Sequence, residues 1–329
     1  MKLHENKRLF RQAIVATAES MQIPEIYIEK DYWVTYALKA IFSDPIGADT
    51  IFKGGTALSK CFNLIERFSE DIDLVVVRTD SDSGNQLKEK IKRIGSAVSH
   101  HLPEVEIEGL TRRMGMNRKT AHTYPREFKG HAGQIRGNFI VVEATWLGSF
   151  EPFTTKTVSS YIADMMQQQD QQALVAEYGL ESFVVQALRP ERTLCEKIMS
   201  LVRFSYGAHA LQDLKLKIRH TYDLHQLLQN TEIKVFFDSK AFEILLLSAA
   251  KSDATSYKNN HSWLGKHPNE ALIFSDLEKV WAELRPVYQG EFSNLVFGQL
   301  PDEVAILKTL TTIKERLSEI QWPADMEKR

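Results

Sequence analysis

The chain has 329 residues and a net charge of −2, from 41 basic and 43 acidic side chains. That length supports one large or two modest domains with a well-buried core, while the even charge excludes a general polyanion binder, so nucleic-acid contact has to come from a local patch. The two cysteines, Cys61 and Cys195, read as buried thiols of a reducing compartment, and the longest apolar run, residues 244–250, is too short for a bilayer; with no signal peptide, a cytoplasmic protein without membrane contact is expected.

Residues 4–20 carry the period of an amphipathic helix, with Leu9, Ile14 and Ala18 facing inward. Pro24 opens a second helix containing Tyr27, Ile28, Trp33, Ala37, Leu38 and Ile41. Its run Glu29-Lys30-Asp31-Tyr32-Trp33 mixes charge with aromatics and on local chemistry reads as a salt-bridged rim. Residues 51–77 are the stretch around which the rest is arranged. Ile51 and Phe52 form a short strand, Gly54-Gly55-Thr56 a turn, and residues 57–67 a helix with Leu58, Cys61, Phe62 and Ile65 on one face. After Phe68-Ser69-Glu70 comes a β-branched strand that opens with Asp71 and Asp73.

Gly54 and Gly55 allow the backbone to approach a ligand, and the helix start offers N–H groups to an anion. Alternation along the strand puts Asp71 and Asp73 on one face and turns Ile72 and Leu74 into the core. Two carboxylates so placed repel unless a cation lies between them. Mg²⁺ takes one or two carboxylates and completes its shell with phosphate oxygens. A phosphate-cradling turn beside such a pair is the chemistry of nucleotidyl transfer.

Further along, 81–85 is a polar turn, 87–101 a helix and 105–108 an alternating strand. Residues 111–136 are the most basic stretch, with Arg112, Arg113, Arg118, Lys119, Arg126, Lys129 and Arg136 against Glu127 alone. Tyr124, Phe128, His122 and His131 lie among them, a mixture that suits phosphate contact with base stacking better than a merely solvated hairpin. Residues 139–146 form a strand in which Glu143 is the only charge. A polar, glutamine-rich connector, 154–182, is expected to be a helical excursion without chemistry, and 183–188 the last strand of the sheet. Pro190 marks the boundary between a domain of residues 1–188 and one of 189–329.

Beyond it the period is helical. Leu194, Ile198, Leu201 and Val202 share a face and leave Lys197 and Arg203 elsewhere on the cylinder. One helix over 211–229 carries Lys215, Lys217, Arg219, His220 and Asp223. Helices near 239–251, 270–285 and 302–320, with a polar loop holding Asn259-Asn260-His261, complete a bundle without a motif. His100-His101 lacks zinc-enzyme spacing, Ser59 and Ser69 lack a nucleophile elbow, and Gly54-Gly55 is not followed by the P-loop's Gly-Lys-Ser/Thr.

The Gly54-Gly55-Thr56 and Asp71-x-Asp73 arrangement resembles the polymerase-β-like nucleotidyltransferase superfamily. Glu29-Lys30-Asp31-Tyr32-Trp33, Phe68-Ser69-Glu70-Asp71-Ile72-Asp73-Leu74, Glu196-Lys197-Ile198 and Tyr222-Asp223-Leu224 narrow it to the AbiEii/AbiGii toxin nucleotidyltransferases, over residues 8–228. The resemblance implies an α+β fold, a mixed sheet flanked by helices, with a C-terminal helical bundle completing a nucleotide and acceptor cleft. It also implies transfer of NMP from an NTP with Mg²⁺ or Mn²⁺. The acceptor would be RNA, foremost the 3′ end of tRNA, and the setting growth arrest in abortive infection (phage defence), with an antitoxin as partner.

By residue, the resemblance makes Asp71, Asp73 and Glu143 the metal ligands, with Glu143 able to take the proton of an attacking hydroxyl, and Asp223 a fourth catalytic carboxylate. It gives nucleotide binding to Gly54, Gly55, Thr56, Ser69 and Lys197, whose point charge suits a phosphate. Arg112, Arg113, Arg118, Lys119, Arg126 and Lys129 are the candidate nucleic-acid contacts. The second helix would brace the sheet, with Lys30 or Asp31 near substrate. Ser69 is also a candidate acceptor of a nucleotidyl or phosphoryl group in an autoinhibited form. The family's Arg-Asp-x-Tyr-Asp here reads Arg219-His220-Thr221-Tyr222-Asp223, which leaves the role of Asp223 open, and that of His220 between neutral group and base. Two alternatives stand beside this reading. A catalytically silent binding module is opposed by the intact aspartate pair, and nucleotidylation of a protein hydroxyl is opposed by the basic stretch.

Overall fold

A computed structural model describes residues 1–129, 137–256 and 262–323; His131 and Arg136 of the basic stretch and Asn259-Asn260-His261 lie outside the described residues. The chain divides into two units. The first takes Met1–Asn63, Phe68–Trp146 and Phe153–Leu188, and its centre is a mixed sheet. Its strands are β1 (Thr50–Lys53), β2 (Asp71–Val76), β3 (Glu104–Val105), β4 (Arg112–Met114), β5 (Asn117–Thr123), β6 (Phe139–Thr145), β7 (Phe153–Val158) and β8 (Phe183–Leu188). They run in the order β3-β5-β6-β2-β1-β8-β7, with β4 paired to β5. The pairs β2/β6 and β1/β8 are parallel and the others antiparallel.

Helices α1 (Lys7–Met21), α2 (Glu25–Ser43), α3 (Gly54–Lys60), α4 (Gly84–Ser99), α5 (Tyr161–Gln168) and α6 (Gln172–Glu177) belong to this unit. Asn6 caps α1 by accepting from the Leu9 N–H, and the helix buries Phe10, Ile14 and Ala18 but leaves Leu9 half-buried. A capping box between Ser83 and Gln86 starts α4. Apolar residues line most of α2, and Glu29, Lys30 and Asp31 are buried with them. Lys30 donates to the Phe139 carbonyl and lies 3.1 Å from Glu70. Asp31 pairs with Lys60 and accepts from the Tyr161 N–H at 2.8 Å. Glu29 accepts from the N–H groups of Glu127 and Phe128, at 2.6 and 3.0 Å. The run is therefore a buried brace of the sheet and not a solvated rim.

Several expected boundaries move. Helix α3 starts at Gly54 itself and ends at Lys60, because Asn63 takes a left-handed backbone (φ 53°) and turns the chain out. The strand at 105–108 shrinks to Glu104–Val105. The connector 154–182 contains β7 as well as α5 and α6. Phe-Thr-Thr-Lys-Thr-Val reads as polar by composition, yet its alternation suits an edge strand exposed on one face. Strand β6 lies between β5 and β2, so Glu143 is not at an edge.

The second unit takes Leu64–Arg67, Leu147–Pro152 and Arg189–Arg329. Its helices are α7 (Pro190–Phe204), α8 (Ala210–Leu216), α9 (Ile218–Gln229), α10 (Thr231–Phe237), α11 (Lys240–Ser256), α12 (Leu272–Ser275), α13 (Leu277–Val287) and α14 (Glu303–Ser318). Pro190 opens α7, where its missing N–H has no partner to lose. The single helix expected over 211–229 breaks at Lys217 into α8 and α9. The Glu66 carbonyl accepts from the Phe297 and Gly298 N–H groups at 3.0 and 3.2 Å, which fixes the short 64–67 segment in this unit. Among the described residues no helix is long and apolar enough to cross a membrane.

Candidate active site

The β1–α3–β2 corner is built around Gly54. Its φ is +79°, and a Cβ there would lie 2.2 Å from Asp73 Oδ2, so both the backbone and the neighbouring carboxylate require glycine. The antiparallel register sets Lys53 opposite Asp73, and the parallel register sets Asp73 opposite Glu143. Asp71 and Asp73 are half-buried on one face while Ile72 and Leu74 are buried on the other, as alternation requires. Burial, and then the nearby Asp71 and Glu143 carboxylates, push Asp73 up to about 6.

Among the described residues no three His, Cys, Asp or Glu side chains converge into a complete metal cage. Glu143, expected as a third ligand, instead accepts from Asn117 Nδ2 at 2.9 Å and from Lys119 Nζ at 3.0 Å. The reason is register: Lys119 stands directly opposite Glu143 across the β5/β6 pair. The donor set is nevertheless all oxygen, and its negative charge is crowded enough to hold Asp73 above the usual carboxylate range. Those features fit a hard divalent cation that draws its remaining ligands from phosphates and water.

Thr56 and Ser69 meet inside the corner. The Thr56 hydroxyl lies 2.9 Å from Ser69 Oγ and donates to the Asp71 carbonyl at 2.5 Å. The Thr56 side chain, expected on a phosphate, is buried and braces the start of β2. Cys61 and Cys195 are free, buried thiols; burial pushes Cys61 up to about 12.

In the second unit Arg67, Lys197 and Asp223 form a buried cluster that sequence spacing did not show. Arg67 grips Asp223 with two bonds of 2.6 and 2.7 Å, and Lys197 Nζ lies 2.7 Å from the same carboxylate. Burial alone would raise Asp223, but the two cations hold it well below the usual carboxylate range. Burial lowers the Lys197 ammonium, because one carboxylate shared by two cations compensates it only in part. The resemblance gave Lys197 to the nucleotide phosphates and Asp223 to catalysis; the structure places Lys197 and Arg67 on the carboxylate of Asp223. Burial and the nearby Lys197 lower His220 well below its usual value, which makes it a neutral imidazole, and its Nδ1 is buried without a hydrogen-bond partner among the described residues. Arg67 carried no signal beyond its place four residues before Asp71.

The basic stretch sorts by sheet face. Arg113 pairs with Glu104 and Glu106, and Arg118 with Glu104, at 3.0 to 3.2 Å. Arg126 donates to the Phe128 carbonyl at 2.5 Å, and Lys129 is exposed. Arg112 is exposed with no ion pair among the described residues, and Lys119 is held by Glu143.

The family model for the nucleotidyl transferase AbiEii toxin of type IV toxin–antitoxin systems matches residues 36–317. The chain belongs to the AbiEii toxin family. An AbiEii chain is a nucleotidyltransferase that acts as the toxin of a toxin–antitoxin system, with a nucleotide as substrate and an antitoxin as partner. The match runs well past the residues that carry the motifs and takes in the helices up to α14. Among solved structures, MenT4, a nucleotidyltransferase toxin from Mycobacterium tuberculosis H37Rv, superposes with a TM-score of 0.52 at 15% identity, over 96% of this chain and 92% of that one. At that identity the likeness speaks to the fold, a mixed sheet flanked by helices. No curated protein matches the chain.

Proposed function

We propose that this AbiEii chain transfers a nucleoside monophosphate from an NTP to the 3′ hydroxyl of an RNA, with tRNA the first acceptor to assay. The carrying observation is Asp73, crowded by Asp71 and Glu143 and packed against a glycine that admits no side chain. Asp71 and Asp73 would hold a divalent cation, Mg²⁺ or Mn²⁺, which when bound neutralises charge on the phosphates. The chain's own residues do the rest. Gly54 and Gly55 present backbone N–H groups to the triphosphate. Thr56 keeps the start of β2 in place, and Lys53 stands beside the carboxylates.

The acceptor oxygen attacks the α-phosphorus, a new P–O bond forms, and the bond to the β-phosphate oxygen breaks to release pyrophosphate. Glu143, once released from Lys119, takes the hydroxyl proton. Lys197 and Asp223 enter this reading as partners in a buried cluster that fixes Arg67.

The test uses total tRNA, Mg²⁺ and each α-labelled NTP with wild type and Asp71→Ala, read on a denaturing gel. RNA label lost in the variant is expected. Label on protein alone, or label unchanged in the variant, contradicts the reading.

A further inference from the structure

The register places five charged residues in one lateral row across the sheet. Lys53 on β1 is opposite Asp73 on β2, Asp73 is opposite Glu143 on β6, Glu143 is opposite Lys119 on β5, and Lys119 is opposite Arg112 on β4. Residues paired across strands share a sheet face, so all five lie on the face that carries the reactive carboxylates. Arg113 and Arg118 are opposite each other one position along, and therefore point to the other face, where Glu104 and Glu106 neutralise them. The basic hairpin thus offers the reactive face two cations, and not the whole set that its composition suggests.

We propose that Lys119 and Arg112 form the acceptor subsite, binding the backbone phosphates that follow the attacking 3′ hydroxyl of a single-stranded RNA end. The inference rests on the transfer reading above and adds where the acceptor lies. Three observations carry it. The row is one residue wide, which matches a single backbone; neighbouring strands lie about 5 Å apart, so Lys119 and Arg112 sit at successive steps from Glu143. Arg112 is exposed and has no ion pair among the described residues, so it is available to a phosphate. Met114 shares this face with Asn117 and is 66% exposed at the hairpin tip, an apolar contact for an unstacked base.

Lys119 also links acceptor binding to the site. Its bridge to Glu143 joins two partly exposed side chains, and such pairs contribute little, so exchanging the carboxylate for a phosphate is nearly neutral. The exchange takes Lys119 off Oε2 of Glu143, while Asn117 keeps hold of Oε1, beside Asp73 at the moment when the hydroxyl arrives.

The experiment compares wild type, the double variant Lys119→Gln/Arg112→Gln, and Arg113→Gln as the opposite-face neighbour. Binding of a short end-labelled single-stranded RNA is measured by fluorescence anisotropy across a salt series, and binding of a fluorescent NTP analogue in parallel. All three side chains are at least partly exposed, so folding is retained and is checked by thermal melting. The double variant is expected to weaken RNA binding about tenfold or more and to reduce the slope of log affinity against log salt by about 1.4, from about 0.7 per lost phosphate contact. NTP binding stays unchanged, and Arg113→Gln leaves RNA binding unchanged. An unaltered slope in the double variant, an equal loss in Arg113→Gln, or no RNA binding by wild type overturns the subsite. Row-dependent RNA binding without any RNA labelling would support the subsite and overturn the transfer reading; labelling indifferent to the row would do the reverse.

Discussion

Gly54 accepts no side chain, because φ +79° and the 2.2 Å approach to Asp73 both forbid one. Gly54→Ala is expected to displace Asp73 and reduce transfer at least about a hundredfold, a loss of about 3 kcal/mol of transition-state stabilisation, and to lower the thermal midpoint through backbone strain of about 1–3 kcal/mol; wild-type turnover in this variant would contradict the placement. Asp73 itself is strained by like charge. Asp73→Asn should therefore raise the thermal midpoint in the absence of divalent cations, by about 1–3 kcal/mol of stability, while abolishing transfer. A lowered midpoint would show that the crowding is relieved by other means. Asp223 behaves in the opposite sense. Its folded-state value lies below its unfolded one, so its stabilisation is present above about pH 4 and is lost as pH falls through the lower folded value. Removing the charge with Asp223→Asn should lower stability at pH 7 by about 3–5 kcal/mol, since Arg67 and Lys197 are left uncompensated, and should flatten the stability curve below pH 4. A curve of unchanged slope there would exclude Asp223 as the titrating group.

Among the elements, α2 shows where sequence reading succeeds and where it stops. The alternation of Asp71 and Asp73, the Gly-Gly turn and the β6 strand were legible, because period-two patterning and glycine chemistry are local. The burial of Glu29, Lys30 and Asp31 was not. A Glu-Lys-Asp run on a helix reads as solvated, and its partners, Glu127, Glu70 and Lys60, lie far along the chain. Strand β7 was hidden by threonine, and Arg67 by a pairing partner 156 residues away. Parallel strands have no hairpin to set their register, and Lys30 supplies a tie by joining Glu70, just before β2, to the Phe139 carbonyl at the start of β6. Lys30→Met should destabilise by about 1–3 kcal/mol because Glu70 and the Phe139 carbonyl both lose the buried ammonium that joins them, and adding Glu70→Leu should recover part of that loss in denaturant melts. Strictly additive losses would mean that the two residues do not act as a pair.

On the scale of the whole molecule, residues 36–317 belong to one family although the motifs read from the sequence end near residue 224. The later helices are packed by ordinary apolar periodicity, which names a bundle but no chemistry. The central claim is attack at the α-phosphorus by the machinery of Asp71 and Asp73. The measurement that tests it most directly is continuous release of pyrophosphate and of inorganic phosphate during RNA labelling, in wild type and Asp73→Asn. One pyrophosphate per labelled RNA end, with both signals lost in the variant, is the predicted result. Release of inorganic phosphate in place of pyrophosphate, or labelling that survives in Asp73→Asn, would contradict it.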